Sequence, residues 1–214
     1  MNKLFGIFLC LLLINSASFA QQTKQVFESP KMKEAIAKHK IVAILPFNVS
    51  ITYKKQPKNY SAEGNRQQEI ELSKNIQTSM FTYLLRKAKD YSVSFQDPEK
   101  TNILLKKAGI YDKLDQVTRD TIAKILGVDA IVGGDFKTEQ TKSEAGAIAL
   151  VIITSGATGG KTGDGSLVMN IYNGTDGELL WRFTKTMNEG LETSTDNLVE
   201  HMMRKVSRNF PYEK

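Results

Sequence analysis

Apolar and polar residues recur along this chain with two different periods, which predict its strands and helices. Residues 40–47 (KIVAILPF) are almost all apolar, and such a run is typical of a central strand covered on both faces. Further strands are expected at residues 91–96, 129–138, 167–172 and 178–186. The turn-forming segment 173–177 (NGTDG) joins the last two of these and predicts an antiparallel hairpin.

The clearest helix has apolar residues at every fourth position and is expected to end near residue 88. These residues are Leu72, Ile76, Met80 and Leu84, with Phe81 and Leu85 alongside. The pair Asp97-Pro98 predicts the start of a second helix, which ends near residue 108. A third helix is expected over residues 114–126, with Gly127 as its C-terminal cap.

Shorter helical segments are expected near both ends of the chain. Residues 30–38 predict a short helix, and residues 198–210 a C-terminal one, capped by Ser194 or Thr195. The order of elements predicts an α/β (α+β) fold: a single domain, with a mixed β-sheet flanked by helices and antiparallel C-terminal strands. We expect a signal peptide over residues 1–20, a tether and short helix over 21–39, and the domain over 40–214.

The N-terminus has the layout of a secretory signal peptide. Lys3 supplies the positive charge, an apolar run follows over residues 4–14, and Ser18-Phe19-Ala20 offers a cleavage site. The run is too short to span a membrane, which takes about 20 residues. Cys10, the only cysteine, lies within the run, so we expect a processed chain without thiols or disulfides.

Composition and charge exclude few functions but favour some over others. The hydrophobic fraction of 41% is that of a globular chain, and the formal net charge is +6. Because the basic residues are scattered, we expect no nucleic-acid partner; peripheral contact with an anionic outer-membrane surface is the more natural use of the charge. Trp181 lies in an apolar strand, where core packing is its expected role.

One motif raises the possibility of an enzyme. Residues 155–162 (SGATGGKT) match a phosphate-binding loop except at its first glycine. That loop needs a helix directly after it, whereas Gly163, Asp164 and Gly165 follow here. We therefore expect a glycine-rich loop between sheet elements, with no cofactor bound to it.

Other catalytic and metal chemistry finds little support in the residues present. The chain has two histidines, His39 and His201, and neither has a second ligand at metal-binding spacing. Both are expected at the surface. The G-x-S-x-G pattern of a serine nucleophile does not occur. The sequence therefore predicts no enzyme, no catalytic residues and no metal.

Two segments have no evident structural role and are candidates for binding. Residues 48–64 are expected to form a long polar loop, whose Tyr53, Lys54, Lys55 and Tyr60 suit a contact with a partner protein. Residues 144–165 are apolar in their first half and glycine-rich in their second. They could form a buried strand, or a hairpin that docks on a partner or on lipid. In a hairpin the contact residues would be Ile148, Leu150 and Ile152.

Three segments together resemble a known superfamily. They are residues 41–47 (IVAILPF), 123–134 (AKILGVDAIVGG) and 167–181 (LVMNIYNGTDGELLW). In order and spacing they resemble the CsgG/LpoB-like superfamily of bacterial envelope proteins, over roughly residues 40–208. TolB-type N-terminal domains share that fold.

The resemblance implies an envelope protein without enzymatic activity, either a regulator that binds a partner protein or a pore subunit. CsgG-like pores carry a lipidated N-terminal cysteine and two membrane hairpins per subunit. This chain has no such cysteine, and residues 187–194 leave no room for a second hairpin. The leading hypothesis is therefore an exported, non-catalytic protein, periplasmic or associated with the outer membrane, that binds an unidentified envelope protein.

Two alternatives remain open. One is a homo-oligomeric outer-membrane pore or secretion-channel subunit, with residues 144–165 as its membrane hairpin. The other is a nucleotide-binding enzyme, which the missing glycine and missing helix disfavour.

Overall fold

The computed structural model describes residues 24–140, 163–187 and 202–214. Its strands are β1 (Lys24–Glu28), β2 (Ile41–Ile44), β3 (Asn48–Tyr53), β4 (Ser94–Phe95), β5 (Ala130–Gln140), β6 (Gly163–Asn173) and β7 (Leu179–Met187). Its longer helices are α1 (Met32–Ile36), α2 (Ala62–Arg86), α3 (Pro98–Lys107) and α4 (Arg119–Leu126). Residues 202–206 are also helical, and short 3-10 turns cover Ala88–Asp90, Leu114–Gln116 and Ser207–Asn209.

The strands form one mixed sheet of seven strands in the order β1-β7-β6-β5-β2-β4, with β3 also paired to β5. β2 lies parallel to β4 and β5, and β3 is parallel to β5. β5, β6, β7 and β1 are antiparallel neighbours. The expected single-domain α/β (α+β) fold, with helices flanking a mixed sheet and antiparallel C-terminal strands, is confirmed.

Residues 48–53 are a strand, so the expectation of a loop over 48–64 is wrong for this part. Val49 and Ile51 are buried while Asn48 and Thr52 are exposed, which is the alternation of a half-buried strand. The pairing partner of Ile44 is Val132, and that of Asn48 is Asp135. β2 and β3 are thus one interrupted strand with an extra residue between them, and the loop that remains covers residues 54–61 only.

Two clusters of apolar side chains cover the two faces of the sheet. The larger lies against α2 and the C-terminal segment and includes Phe136, Trp181 and Phe183, all at most 1% exposed. The smaller lies under α3 and α4, around Ile122 and Ile131. Alternate residues of the run 41–45 enter the two clusters, which confirms that this strand is covered on both faces. The core role expected of Trp181 is also confirmed.

Helix α2 has the predicted buried face, at Leu72, Ile76, Met80 and Leu84. Leu85 does not belong to it, since this side chain is 61% exposed. One residue advances a helix by about 100°, so the neighbour of a fully buried residue readily points to solvent. Ser61 caps the helix, accepting a hydrogen bond from the Gly64 N–H at 2.9 Å.

In helices α3 and α4 the predicted capping residues are confirmed, whereas the predicted start of α4 is wrong. Asp97 accepts a hydrogen bond from the Glu99 N–H at 2.7 Å at the start of α3, and Gly127 closes α4 with a φ of 65°. Helix α4 begins only at Arg119, whereas a helix was expected from residue 114. The strand expected over 91–96 is limited to Ser94–Phe95. Ser194 and Thr195 lie outside the described residues.

The chain ends are also part of the fold. Residues 24–28, expected to belong to a tether, form strand β1 along β7. At the other end Tyr212 is fully buried, and its carbonyl accepts a hydrogen bond from the Ser92 N–H at 2.9 Å. Pairing with a distant strand, which no local pattern of five residues reveals, decides the structure of β1.

Candidate functional site: the open face and distal end of the sheet

Half of the sheet presents a polar face to solvent. Side chains that are opposite each other on paired strands share a face. One row across the sheet contains Ser50, Lys137, Ser166 and Thr186, and the next contains Asn48, Asp135, Val168, Thr184 and Gln25. None of these nine residues is buried. We call this surface the open face.

The opposite face of the same strands is buried. Val49, Phe136 and Leu167 form one row there, and each is at most 5% exposed. An antiparallel sheet with one face on the core and one in water is a stable arrangement. The strands that carry the open face therefore pack on the hydrophobic core through their opposite face.

Both binding segments expected from the sequence begin at one end of this sheet. Tyr53 pairs with Gln140, and Gln140 pairs with Gly163. The loop 54–61 follows Tyr53, and the segment 141–162 connects Gln140 to Gly163. We call this end, where β3 and β5 finish and β6 begins, the distal end. Ile148, Leu150 and Ile152 lie outside the described residues.

The four candidate contact residues of the loop have different environments. Tyr53 is half-buried, and its hydroxyl donates a hydrogen bond to Asn65 Oδ1 at 3.2 Å; burial raises its pKa. Tyr60 is 39% exposed, and its ring lies edge-on to Tyr53 with centroids 5.7 Å apart. Lys54 Nζ lies 3.8 Å from Glu139 Oε2, and Lys55 is exposed. Tyr53 thus anchors the loop, while Tyr60, Lys54 and Lys55 are presented to solvent.

A groove of about 380 Å³ adjoins the open face where the sheet meets α2 and residues 111–119. The guanidinium of Arg119 lies 5.3 Å from the Tyr172 ring centroid, and its Nη1 donates to the Leu114 carbonyl at 3.0 Å. The carboxylates of Asp112 and Asp115 are exposed at the rim. Charges of both signs therefore line this groove, and that of Arg119 is held in place by such contacts.

Sequence reasoning did not find this groove. The signal that could have indicated it is Gly133-Gly134, two consecutive residues without side chains directly after the apolar residues 130–132 of a strand. A Cβ at Gly134 would lie 2.0 Å from the Val168 carbonyl oxygen, whereas at Gly133 it would meet only Leu45 at 3.8 Å. The close packing of β5 on β6 therefore requires a glycine at position 134. At position 133 the missing side chain leaves space in the groove.

His39 is buried, so the expectation of a surface histidine is wrong for it. Only 8% exposed, it has Nδ1 2.7 Å from the Tyr212 hydroxyl and Nε2 3.2 Å from Asn173 Oδ1. The neutral ring fits this geometry if the Tyr212 hydroxyl donates to Nδ1 and Nε2–H donates to Asn173. Burial lowers the pKa of His39. The ring joins the C-terminus to the β6–β7 turn, which is a structural role.

The remaining sequence candidates can be placed only in part. Residues 155–162 and His201 lie outside the described residues. The chain that follows the Lys161-Thr162 pair is a strand from Gly163 onward, so the strand expected from residue 167 begins four residues earlier. Within the described ranges, no three His, Cys, Asp or Glu side chains lie close enough to bind a metal ion together. No helix within those ranges is long and apolar enough to cross a membrane.

No family model matches the chain, and no curated protein is similar to it. Several solved structures are similar to it. Lipoprotein GNA1162 of Neisseria meningitidis is 12% identical, with a TM-score of 0.44 and coverage of 79% of this chain and 96% of that one. The PelC dodecamer of Paraburkholderia phytofirmans is 13% identical, with a TM-score of 0.40 and coverage of 89% and 96%.

The LpoB C-terminal domain of Salmonella enterica is 11% identical, with a TM-score of 0.35 and coverage of 73% of this chain and 95% of that one. At such identities the likeness concerns the fold alone.

Proposed function

We propose that this chain is an exported, non-catalytic protein of the bacterial envelope, which binds a partner protein through the distal end and open face of its sheet. The observation that carries the proposal is the pairing of Tyr53 with Gln140 and of Gln140 with Gly163. It brings the beginnings of both candidate binding segments together beside a solvated, rigid surface. The signal-peptide pattern and the superfamily resemblance support the location.

The loop 54–61 supplies the contacts of this surface. Lys54, Lys55 and Lys58 are exposed within a few residues of each other, and Tyr60 adds an exposed ring. Binding residues on a loop positioned by a rigid scaffold are a common solution, since little order is lost on association. A basic loop with an aromatic ring favours a partner surface that is acidic and carries a pocket for that ring.

The proposal is tested by site-specific photo-crosslinking in the native envelope. A photo-reactive amino acid replaces Lys54, Lys55 or Tyr60 in turn, and matched controls carry it at the exposed Lys33 and Lys89, far from the loop. We expect a discrete adduct of one protein from the loop positions and none from the controls. Equal labelling at loop and control positions would overturn the assignment of this surface.

A loss-of-contact variant gives an independent measurement. Lys54→Ala, Lys55→Ala and Tyr60→Ala combined should reduce recovery of the crosslinked partner at least tenfold without lowering the melting temperature. Tyr53 is kept, because its hydroxyl and ring anchor the loop to α2. Undiminished recovery with this triple variant rejects the loop as the contact.

Location and the absence of catalysis need separate tests. The full chain should fractionate with the periplasm or outer membrane, and a chain lacking residues 1–20 should remain in the cytoplasm. Cytoplasmic recovery of the full chain contradicts the export. Saturable binding of labelled ATP that is lost in Lys161→Ala would contradict the non-catalytic assignment and support the nucleotide-binding alternative.

A further inference from the structure

Strand β1 ends the sheet with an edge that no other strand occupies within the described parts of the chain. All five of its residues are exposed. Two of them are large and apolar, Val26 at 38% and Phe27 at 48% exposure. Exposed apolar residues on an open edge favour pairing with another strand, which is why proteins usually protect such edges.

The backbone of β1 divides its hydrogen-bonding groups between two sides. The Ser29 N–H donates to the Leu180 carbonyl at 2.8 Å. Because consecutive residues of an antiparallel strand direct these groups to opposite sides, Phe27 and Gln25 bond to β7. Lys24, Val26 and Glu28 then direct their N–H and C=O groups outward, to the free edge.

Two copies of this strand have complementary charges when they pair in one arrangement. If a second copy of β1 pairs antiparallel about Val26, Lys24 of one copy lies opposite Glu28 of the other, at both ends. The two Val26 side chains meet at the centre, and the three residues that direct backbone groups outward all fall into register. Parallel pairing would instead bring like charges together, which costs free energy.

A further contact favours this partner. On β7 the residue opposite Lys24 is Lys185, so Lys24 has a like charge on its occupied side. A carboxylate on its free side offsets that repulsion. Glu28 lies opposite the apolar Trp181 and has no such conflict.

We propose that β1 is a dimerisation strand, at which two copies of this chain join their sheets edge to edge. The symmetry is a two-fold, so each copy gives and receives the same contacts. The strands contribute only five residues each. A stable complex buries about 800 Å² per partner, so we expect a weak dimer that dissociates on dilution.

Charge reversal tests the register. The purified protein is examined by analytical ultracentrifugation over a range of concentrations, as wild type and as Lys24→Glu or Glu28→Lys. Each single variant places two like-charge pairs across the seam and should weaken the dimer at least tenfold. An equimolar mixture of the two variants should dimerise again, as a heterodimer, because opposite charges then meet at both ends.

Two controls separate this contact from others. Lys33→Glu and Glu63→Lys reverse exposed charges on helices and should leave the dimer unchanged. Val26→Pro removes an outward N–H and should abolish the dimer while β1 stays paired to β7, which an unchanged melting temperature would show.

Four results would overturn the proposal. One is a monomer at every concentration, and another is a dimer indifferent to Lys24→Glu and Glu28→Lys. The third is a mixture of these variants that stays monomeric. A heterologous partner strand captured at β1 from the envelope, with no self-association, would also replace the second copy as the occupant.

Discussion

The two edge strands of the distal half of the sheet, β3 and β1, differ in whether their outward backbone groups are hydrogen-bonded. On β3 the outward N–H of Ile51 donates to Glu69 Oε1 at 2.9 Å, and the Ile51 carbonyl accepts from Asn65 Nδ2 at 3.1 Å. Both side chains come from helix α2, so the edge is capped at Ile51. On β1, at the other side of the sheet, the corresponding groups of Lys24, Val26 and Glu28 have no such cover in the described chain.

On β3 the cap is provided by the element that follows the strand in the chain. Asn65 and Glu69 lie four residues apart, hence on one side of α2, and together they occupy both groups of one residue. Nothing comparable follows β1, because the chain proceeds to α1, which packs near β7 instead. An open edge in a protein that caps its other edge is a candidate for pairing.

The largest effect is expected where the capped side joins the sheet. Gly134→Ala should cost about 3 kcal/mol or more, because the new Cβ would overlap the Val168 carbonyl and the Phe47 ring. Gly133→Ala is the matched control and should change the free energy of unfolding by about 0.5 kcal/mol or less. Urea unfolding measures both, and equal losses would contradict the close packing at Gly134.

Removing the cap itself should have an intermediate effect. Glu69→Ala leaves the Ile51 N–H of a buried residue without its acceptor and should cost about 1–3 kcal/mol. Glu69→Gln keeps an acceptor oxygen for the Ile51 N–H and should lower the free energy of unfolding by less. Exposed Glu63→Ala is the control. A Glu69→Ala protein as stable as the control would show that the cap is dispensable.

The free energy of unfolding should also depend on pH through His39, which lies just before β2. Burial lowers its pKa in the folded protein, whereas the unfolded chain takes up the proton near the usual 6.5. The free energy of unfolding should therefore be highest above pH 6.5 and fall as the pH decreases through that value. We expect a smaller loss than for the edge cap.

Unfolding in urea at pH 7, 6 and 5 measures this dependence. His39→Gln should remove the part of the slope that comes from this ring, and His201→Gln is the control for the other histidine. If the two variants keep the same slope as wild type, His39 is not the group that titrates.

The smallest effect on stability is expected at the open edge. Val26→Thr and Phe27→Thr alter exposed side chains and should change the unfolding free energy of the monomer by about 0.5 kcal/mol or less. Dilute samples isolate the monomer in this measurement. A loss above about 1 kcal/mol would mean that β1 supports the fold as β3 does, and the contrast between the edges would disappear.

Much of the fold was predictable because it follows from local patterns. The apolar run at residues 41–45, the four-residue spacing from Leu72 to Leu84 and the Asp97 cap each correspond to an element in the structure. The strand at 48–53 was missed although its alternation is visible, since its tyrosine, lysines and proline neighbours favoured a loop. The candidate loop residues stay a prediction, and only the contacts in the structure separate the anchoring Tyr53 from the exposed Tyr60.

By itself the sequence determined the types of most elements, the mixed sheet, and the buried faces of β2 and α2. These depend on periodicity, which each segment carries within itself. Tertiary structure decided that β1 belongs to the sheet, that His39 is buried, and that both candidate binding segments begin at one end. Those features depend on which distant strands pair and in what register, and hydrogen bonds between remote residues leave no period in the chain.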